Sequence, residues 1–404
     1  MKPIIVLGLL VVLLLIGGCA SGLDFDARLN SVVQPYRFSI AGWEWQTLVQ
    51  PVKQWYWGIP IKQAKIVGDV GLVTRYFDAV KRIKTLQSEI AAANAGISGR
   101  APFQLENELY SLQAKQVAQA GTVEKVIEGQ VRATLAGQGI FNPAGRGKVS
   151  FPPLNFRLEE LPSLLVISPR DRIESMREVV LKQNLTLNEK ESIEAGTDKL
   201  GVSSLVVGVG GMATYPSLID SGAGLQATIE TAAHEWLHQY LAFTPLGFRY
   251  LLDLTGLSRN YDIATMNESL TGMVGKEIGA LVYQKYYSGH EDGARQVQKT
   301  GFDFNLAMRE IRKTVDTYLA RREIEQAEAF MEQKRQELAL KGYYIRKLNQ
   351  AYFAFNGTYA DSPAFLNPIG LELKELRGKS ASLKEFLNTA AVMTSRQDLT
   401  ESIR

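Results

Sequence analysis

Residues 234–238 read His-Glu-Trp-Leu-His and contain two of the three histidines in this 404-residue chain. Four positions separate His234 from His238, so on an α-helix both imidazoles lie on one face, one turn apart. That spacing allows two nitrogens to reach one tetrahedral Zn²⁺ and leaves room for a third ligand and a water. Glu235 lies about 100° around the helix from His234, where its carboxylate can act as a base on that water. These residue types predict metal-assisted hydrolysis.

The segment around the motif has the features of a helix. Residues 225–243 contain no Gly or Pro, and they lie between a Gly-containing turn and Thr244-Pro245, which are helix start and stop signals. The alternative is a pair of core histidines satisfied by ordinary hydrogen bonds. We favour the metal, because burying two imidazoles and a carboxylate without a partner is costly.

A carboxylate is the expected third ligand, since no third histidine lies at metal-ligand spacing and His290 sits in a loop-like stretch. The candidates are Glu268 and Glu277, nine residues apart and therefore on opposite sides of a helix that begins near residue 262. We favour Glu268, and Glu277 stays the alternative with a structural role. Glu268 shares its face with small residues that allow close helix packing: Gly272, Gly275 and Gly279.

The motif and the following Asn267-Glu268 pair resemble the gluzincin metallopeptidases, whose third zinc ligand is a Glu on a later helix. The resemblance implies that His234, His238 and Glu268 bind Zn²⁺ and that Glu235 is the general base. The interval of 30 residues from His238 to Glu268 is longer than in the best-known gluzincins. More loosely, the chain is similar to the bacterial predicted-aminopeptidase lipoproteins.

Residues 1–18 predict a lipoprotein signal peptide, with Lys2 ahead of an apolar stretch at 4–16. Residues 16–19 read Ile-Gly-Gly-Cys and resemble the bacterial lipobox, which implies a lipidated Cys19. Cys19 is the only cysteine, which excludes a disulfide framework and a thiolate zinc site. We expect the rest of the chain on the extracytoplasmic face of a membrane in the bacterial cell envelope, anchored through Cys19. An uncleaved anchor is the alternative, although its apolar stretch is short for a span of about 20 residues.

The predicted fold class is α+β and mostly helical. We expect residues 19–140 to form a helical, aromatic-rich region with tryptophans at 43, 45, 55 and 57, ending at a Gly/Pro-rich break over 136–155. Residues 150–404 are expected to form a zincin-like domain with a small sheet, an active-site helix and C-terminal helices. Strands are predicted near 163–168 and 202–209. Helices are predicted near 68–93, 103–135, 171–183 and 188–199, and a charged helix or helix pair over 303–348.

Residues 208–213 fit the dinucleotide fingerprint G-x-G-x-x-A, but Thr-Tyr-Pro follows where a phosphate-binding helix would begin. We therefore exclude a nucleotide and interpret the segment as an edge strand. Its residues Gly210, Gly211 and Met212 would bind an extended peptide backbone by strand addition. A tight turn that needs positive φ is an equal alternative. Tyr261 is the expected oxyanion donor, with Arg259 and Tyr215 as alternatives by location.

The leading hypothesis is a zinc-dependent metallopeptidase that acts on peptides or proteins outside the cytoplasm. Hydrophobic residues make up 46% of the chain and the net charge is +3, with no basic run of the kind that binds nucleic acid. The alternative is a non-catalytic envelope lipoprotein scaffold with a structural metal site. Structural zinc sites are normally closed by four protein ligands, whereas the sequence offers three, so hydrolysis is the favoured interpretation.

Overall fold

A computed structural model describes seven stretches of the chain, residues 23–38, 69–94, 101–143, 148–255, 257–290, 302–357 and 368–404. The predicted signal peptide, Cys19 and the four clustered tryptophans lie outside these stretches, so those predictions stay predictions. Within the described stretches, no helix is both long and apolar enough to span a membrane. The described chain is mostly helical with two small sheets, which confirms the predicted α+β class.

The first three helices of the described stretches are α1 Leu23–Val33, α2 Val70–Asn94 and α3 Pro102–Gly137. Helices α2 and α3 pack against each other and confirm the helices predicted near 68–93 and 103–135. Val73 and Phe77 of α2, like Val123 and Ile127 of α3, are buried at a spacing of four residues, so each helix has one apolar face. Both faces pack in the same hydrophobic core as Leu237 of the motif helix. Core packing therefore continues across the Gly/Pro-rich break.

Among the described residues, six short strands form two three-stranded sheets: β1 Phe156–Glu159, β2 Ser163–Pro169, β3 Arg177–Leu181, β4 Val202–Gly208, β5 Gly211–Met212 and β6 Ser217–Asp220. In the first sheet, β6 lies between β1 and β5, parallel to β1 and antiparallel to β5. In the second sheet, β2 lies between β3 and β4 and is antiparallel to both. The strands predicted near 163–168 and 202–209 are confirmed. Helix α4, Leu187–Asp198, confirms the helix predicted near 188–199.

The helix predicted near 171–183 is wrong, because this segment contains β3. Val179 and Leu181 are buried on one face of the strand, and Val180 between them is only half-buried. β-Branched side chains suit a pleated surface with a neighbouring strand. Antiparallel pairing with β2, which places Val179 opposite Leu165, provides that surface.

Helix carboxylates cap the outer edges of β1 and β4. Glu128 and Glu124, one turn apart on α3, accept hydrogen bonds from the N–H groups of Phe156 and Leu158 at 3.1 and 2.8 Å. Four residues of an α-helix rise about 6 Å, and two residues of a strand advance about 6.6 Å, so the two spacings match. Glu194 of α4 accepts a bond from a β4 N–H in the same way. The outer edge of β5 has no strand or carboxylate partner among the described residues.

The next three helices are α5 Leu225–Leu241, α6 Pro245–Leu254 and α7 Tyr261–Tyr286. The bounds of α5 and α7 confirm the two helices predicted to carry the metal ligands. A Cβ on Gly275 of α7 would lie 3.2 Å from His234 Cα, and one on Gly279 would lie 2.4 Å from Glu230 Cγ. These glycines permit the predicted close packing of α7 on α5. Gly272 has no such neighbour within 4 Å, so its predicted part in this contact is wrong.

The charged stretch over 303–348 forms a pair of helices, as predicted, and four shorter helices follow. Their bounds are α8 Phe304–Ala320, α9 Ile324–Leu340, α10 Gln350–Asn356, α11 Pro368–Lys379, α12 Leu383–Ala391 and α13 Arg396–Ser402. Helices α8 and α9 bury Met308, Val315 and Met331 in a separate small core with Phe353 of α10. Helices α11 and α12 pack in the main core beside α7.

Candidate metal centre

The two motif histidines face each other on α5. His234 Nε2 lies 3.0 Å from His238 Nε2, and the ring planes are inclined by 80° with centroids 4.7 Å apart. Two atoms that bind one zinc at 2.0–2.1 Å with a tetrahedral angle lie about 3.3 Å apart. The observed nitrogen separation is close to that value, so the two imidazoles can share one cation.

Glu268 is the carboxylate that α7 brings to the histidines. Its Oε2 lies 3.6 Å from His234 Nε2, and its Oε1 lies 3.5 Å from His238 Nε2. The Oε2 atom is buried and has no hydrogen-bond partner among the described residues. A buried carboxylate oxygen without a partner is costly, and a cation between these three side chains would satisfy it. The donor set therefore fits a divalent metal ion.

The other two candidate ligands lie elsewhere. Glu277 accepts two hydrogen bonds from the Arg377 guanidinium of α11, at 2.8 and 3.0 Å. His290 Nε2 lies 3.9 Å from an oxygen of Asp78 on α2. The geometry thus groups Glu268 with the histidines and gives Glu277 the structural role that its position on the helix predicts.

Glu235 also lies near the imidazoles, with a carboxylate oxygen within 4.8 Å of a ring nitrogen of both His234 and His238. By distance, Glu235 and Glu268 are both possible ligands, so we compare the pKa values of their two carboxyl groups. Burial raises the pKa of Glu235 to about 7, which suits a group that accepts and returns a proton near neutral pH. Burial also acts to raise the pKa of Glu268, but His238 outweighs it and holds that pKa below its usual range. Glu268 stays ionised, as a ligand must.

Asn267 fixes the orientation of His238. Its side chain is fully buried, and its Oδ1 lies 2.8 Å from His238 Nδ1. An amide oxygen only accepts hydrogen bonds, so His238 Nδ1 carries a proton and Nε2 is the nitrogen that faces the site. Burial acts to lower the pKa of His238, but the Glu268 carboxylate outweighs it and raises that pKa to about 9, so His238 must release its Nε2 proton when a cation binds. Burial, with help from the neighbouring His238, lowers the pKa of His234 to about 4, which keeps that ring neutral. Neutral imidazoles are the form that binds metals.

Tyr250 of α6 is a site residue that sequence reasoning missed. Its hydroxyl donates a hydrogen bond to Glu268 Oε1 at 2.6 Å, and its ring stacks on His238 with centroids 5.6 Å apart and planes inclined by 22°. The segment between the motif and the Asn-Glu pair has no recognised signature. The sequence signal that could identify it is a tyrosine in the short helix that starts at Pro245, directly after Thr244.

Strand β5 passes directly beside Glu235. A Cβ on Gly211 would lie 2.4 Å from Glu235 Oε1 and 2.6 Å from Thr231 Cγ2, whereas one on Gly210 would meet nothing within 4 Å. The glycines at 208, 210 and 211 do not adopt positive φ, so the tight-turn alternative is wrong. Gly211 is instead needed for the close approach of the strand. Met212, the third predicted substrate residue, pairs with Leu218 of β6.

The predicted oxyanion donor lies in another part of the molecule. Tyr261 lines a cavity with Arg312, Asp316 and Arg396. No described contact joins Tyr261 to the histidines or to Glu268, so the geometry does not support its predicted role. The alternative Tyr215 lies beside the Asn155 side chain instead.

The fold and the site define a mostly helical α+β protein with a half-buried candidate metal centre of two imidazoles and a carboxylate. Comparisons of the chain with protein-family models, curated proteins and solved structures find no match. The functional assignment therefore depends on the geometry of the site itself.

Proposed function

We propose that this chain is a zinc-dependent metallopeptidase. The observation that carries the proposal is the unpartnered, buried Oε2 of Glu268, which lies 3.6 Å from His234 Nε2, while Oε1 of the same carboxylate lies 3.5 Å from His238 Nε2. These three side chains would hold the metal. A site with three protein ligands keeps one position for water or substrate, which is typical of catalytic rather than structural zinc.

The choice of metal follows from the neighbouring groups. Two imidazoles and a carboxylate also suit iron, so the donor set alone is not specific. A buried carboxylate base on the same helix favours hydrolysis over redox chemistry, and this supports zinc. When bound, zinc supplies Lewis acidity, which brings the pKa of a coordinated water to about 7.

The chain's own residues supply the remaining steps of peptide hydrolysis. The Glu235 carboxylate accepts the proton of the attacking water and returns it to the leaving amine. The outer edge of β5 binds the extended substrate backbone by strand addition, with Gly211 allowing the strand to lie against Glu235. Attachment to the bacterial envelope through a lipidated Cys19 is part of the proposal and is supported by the sequence alone.

The proposal is tested by measuring metal content and peptide hydrolysis for the full chain and for Glu235→Gln. We expect the variant to keep its zinc and to lose about 10²- to 10⁴-fold in hydrolysis, because only proton transfer is removed. Glu230→Gln, one turn before His234 on the same helix, is the control and should retain activity. Wild-type protein without stoichiometric metal would refute the proposal. Full rescue of a deletion strain by Glu235→Gln would instead support the non-catalytic scaffold.

A further inference from the structure

We propose that Tyr250 is a positioning residue of the metal site, which holds Glu268 by one oxygen so that the other oxygen faces the metal. The inference depends on the metal site described above. It concerns α6, the helix that lies in sequence between the motif helix α5 and the ligand-bearing helix α7.

The two oxygens of Glu268 have different surroundings. Oε1 accepts the Tyr250 hydroxyl at 2.6 Å, within the short range of hydrogen bonds from a hydroxyl to an ionised carboxylate. Oε2 is buried with no hydrogen-bond partner among the described residues. The phenol therefore makes the carboxylate asymmetric and leaves Oε2 as the atom for the metal. Coordination through one oxygen keeps a position open for water and substrate, which a two-oxygen mode would occupy.

The Tyr250 ring also supports a second ligand. It stacks on the His238 imidazole with centroids 5.6 Å apart, while Asn267 holds Nδ1 of the same imidazole at 2.8 Å. His238 is thus restrained on its ring face and at its far nitrogen. One aromatic side chain contacts two of the three ligands, so it fixes their positions relative to each other.

Both ends of helix α6 are held by contacts with neighbouring helices, which keep the Tyr250 phenol in place. At its start, a Cβ on Gly247 would lie only 2.0 Å from the Leu241 carbonyl oxygen, so only glycine allows this approach of α6 to α5. At its end, Asp253 accepts the N–H of Asn260 at 2.6 Å, and Asn260 caps the first turn of α7. The long interval between His238 and Glu268 therefore has a structural purpose, because it contains the helix that carries Tyr250.

The test is Tyr250→Phe, which keeps the ring on His238 and removes the hydroxyl. Zinc affinity is measured by competition with a chelator, and coordination is followed in the visible spectrum of the Co²⁺-loaded chain. We expect affinity to fall about 10- to 100-fold, as when other partners of metal ligands are removed. We also expect weaker visible absorption, because the freed Oε1 raises the coordination number. The control is Tyr240→Phe on α5, which loses a hydroxyl bonded to the Asn142 carbonyl at 3.2 Å, and it should leave both readouts unchanged.

Wild-type affinity and an unchanged Co²⁺ spectrum in Tyr250→Phe would overturn the inference. Equal losses in Tyr240→Phe would also overturn it, since they would indicate a general loss of packing. A wild-type chain that binds metal but hydrolyses no peptide contradicts the peptidase proposal alone, because affinity and spectrum still decide the role of Tyr250. A wild-type chain that binds no metal overturns both.

Discussion

Replacing Gly211 with alanine is expected to disable Glu235 without changing a metal ligand. The new Cβ would lie 2.4 Å from Glu235 Oε1 and 2.6 Å from Thr231 Cγ2, whereas ordinary contact begins at 3.4 Å. Either the carboxylate or the strand must therefore move by about 1 Å. Glu235 is buried, with 7% of its surface exposed, so the carboxylate cannot swing freely into solvent.

The size of the effect follows from that displacement. A 1 Å misplacement of a catalytic group costs about 100-fold in rate, and overpacking a buried site costs about 1–3 kcal/mol of stability. We expect kcat/KM for peptide hydrolysis to fall about 100-fold in Gly211→Ala. Zinc content should stay at the wild-type level, because His234, His238 and Glu268 are not displaced.

The matched control is Gly208→Ala, three residues earlier at the end of β4. Its Cβ would meet nothing within 4 Å, and its backbone does not need a positive φ, so kcat/KM should stay within about threefold of wild type. Equal losses of kcat/KM in the two variants would refute the inference that the contact with Glu235 causes the loss of activity. Loss of zinc from Gly211→Ala would refute it as well, because the substitution would then act on the ligands rather than on the base.

Three further predictions concern the surroundings of the site. Asn267→Ala should weaken zinc binding about 10- to 100-fold in chelator competition, and unchanged affinity would contradict its role in orienting His238. In urea unfolding, Gly279→Ala should destabilise the chain by about 1–3 kcal/mol through its contact with α5, whereas Gly272→Ala should stabilise it by about 0.5–1 kcal/mol. Burial raises the pKa of Glu124 above its unfolded value, so the folded state favours the protonated form. The protonated Glu124 side chain therefore makes its full contribution to the free energy of unfolding at a pH below the unfolded pKa, and this contribution is lost as the pH rises through the folded pKa. Wild type should therefore lose stability relative to Glu124→Gln as the pH rises, and a pH-independent difference would contradict this.

The ligands could be predicted from the sequence because their signals are local. His234 and His238 lie one helical turn apart, so the spacing of two residues fixes their relative position once a helix forms. Glu268 could be chosen over Glu277 because nine residues place them on opposite helix faces. The same reasoning identified Gly275 and Gly279, although it wrongly added Gly272, since residues at spacings of three and four drift apart around a helix.

The other features depend on contacts between distant segments. The β3 segment has no strand signal strong enough to override a helical interpretation, and its pairing with β2 decides the conformation. Tyr250 reaches Glu268 only because contacts hold α6 against α5 and α7. These contacts cannot be predicted from residue spacing. Tyr261 is predicted from its proximity in sequence to Glu268, but it lies two helical turns away and lines another cavity.

Metal analysis of purified wild type, Glu268→Gln and Glu277→Gln tests whether His234, His238 and Glu268 hold a zinc ion. Zinc and iron per chain are measured after dialysis against metal-free buffer. We expect one zinc per chain in wild type and in Glu277→Gln, and little metal in Glu268→Gln, which lacks the ionised oxygen beside the histidines. Full zinc occupancy in Glu268→Gln, or iron in place of zinc in wild type, would contradict the account.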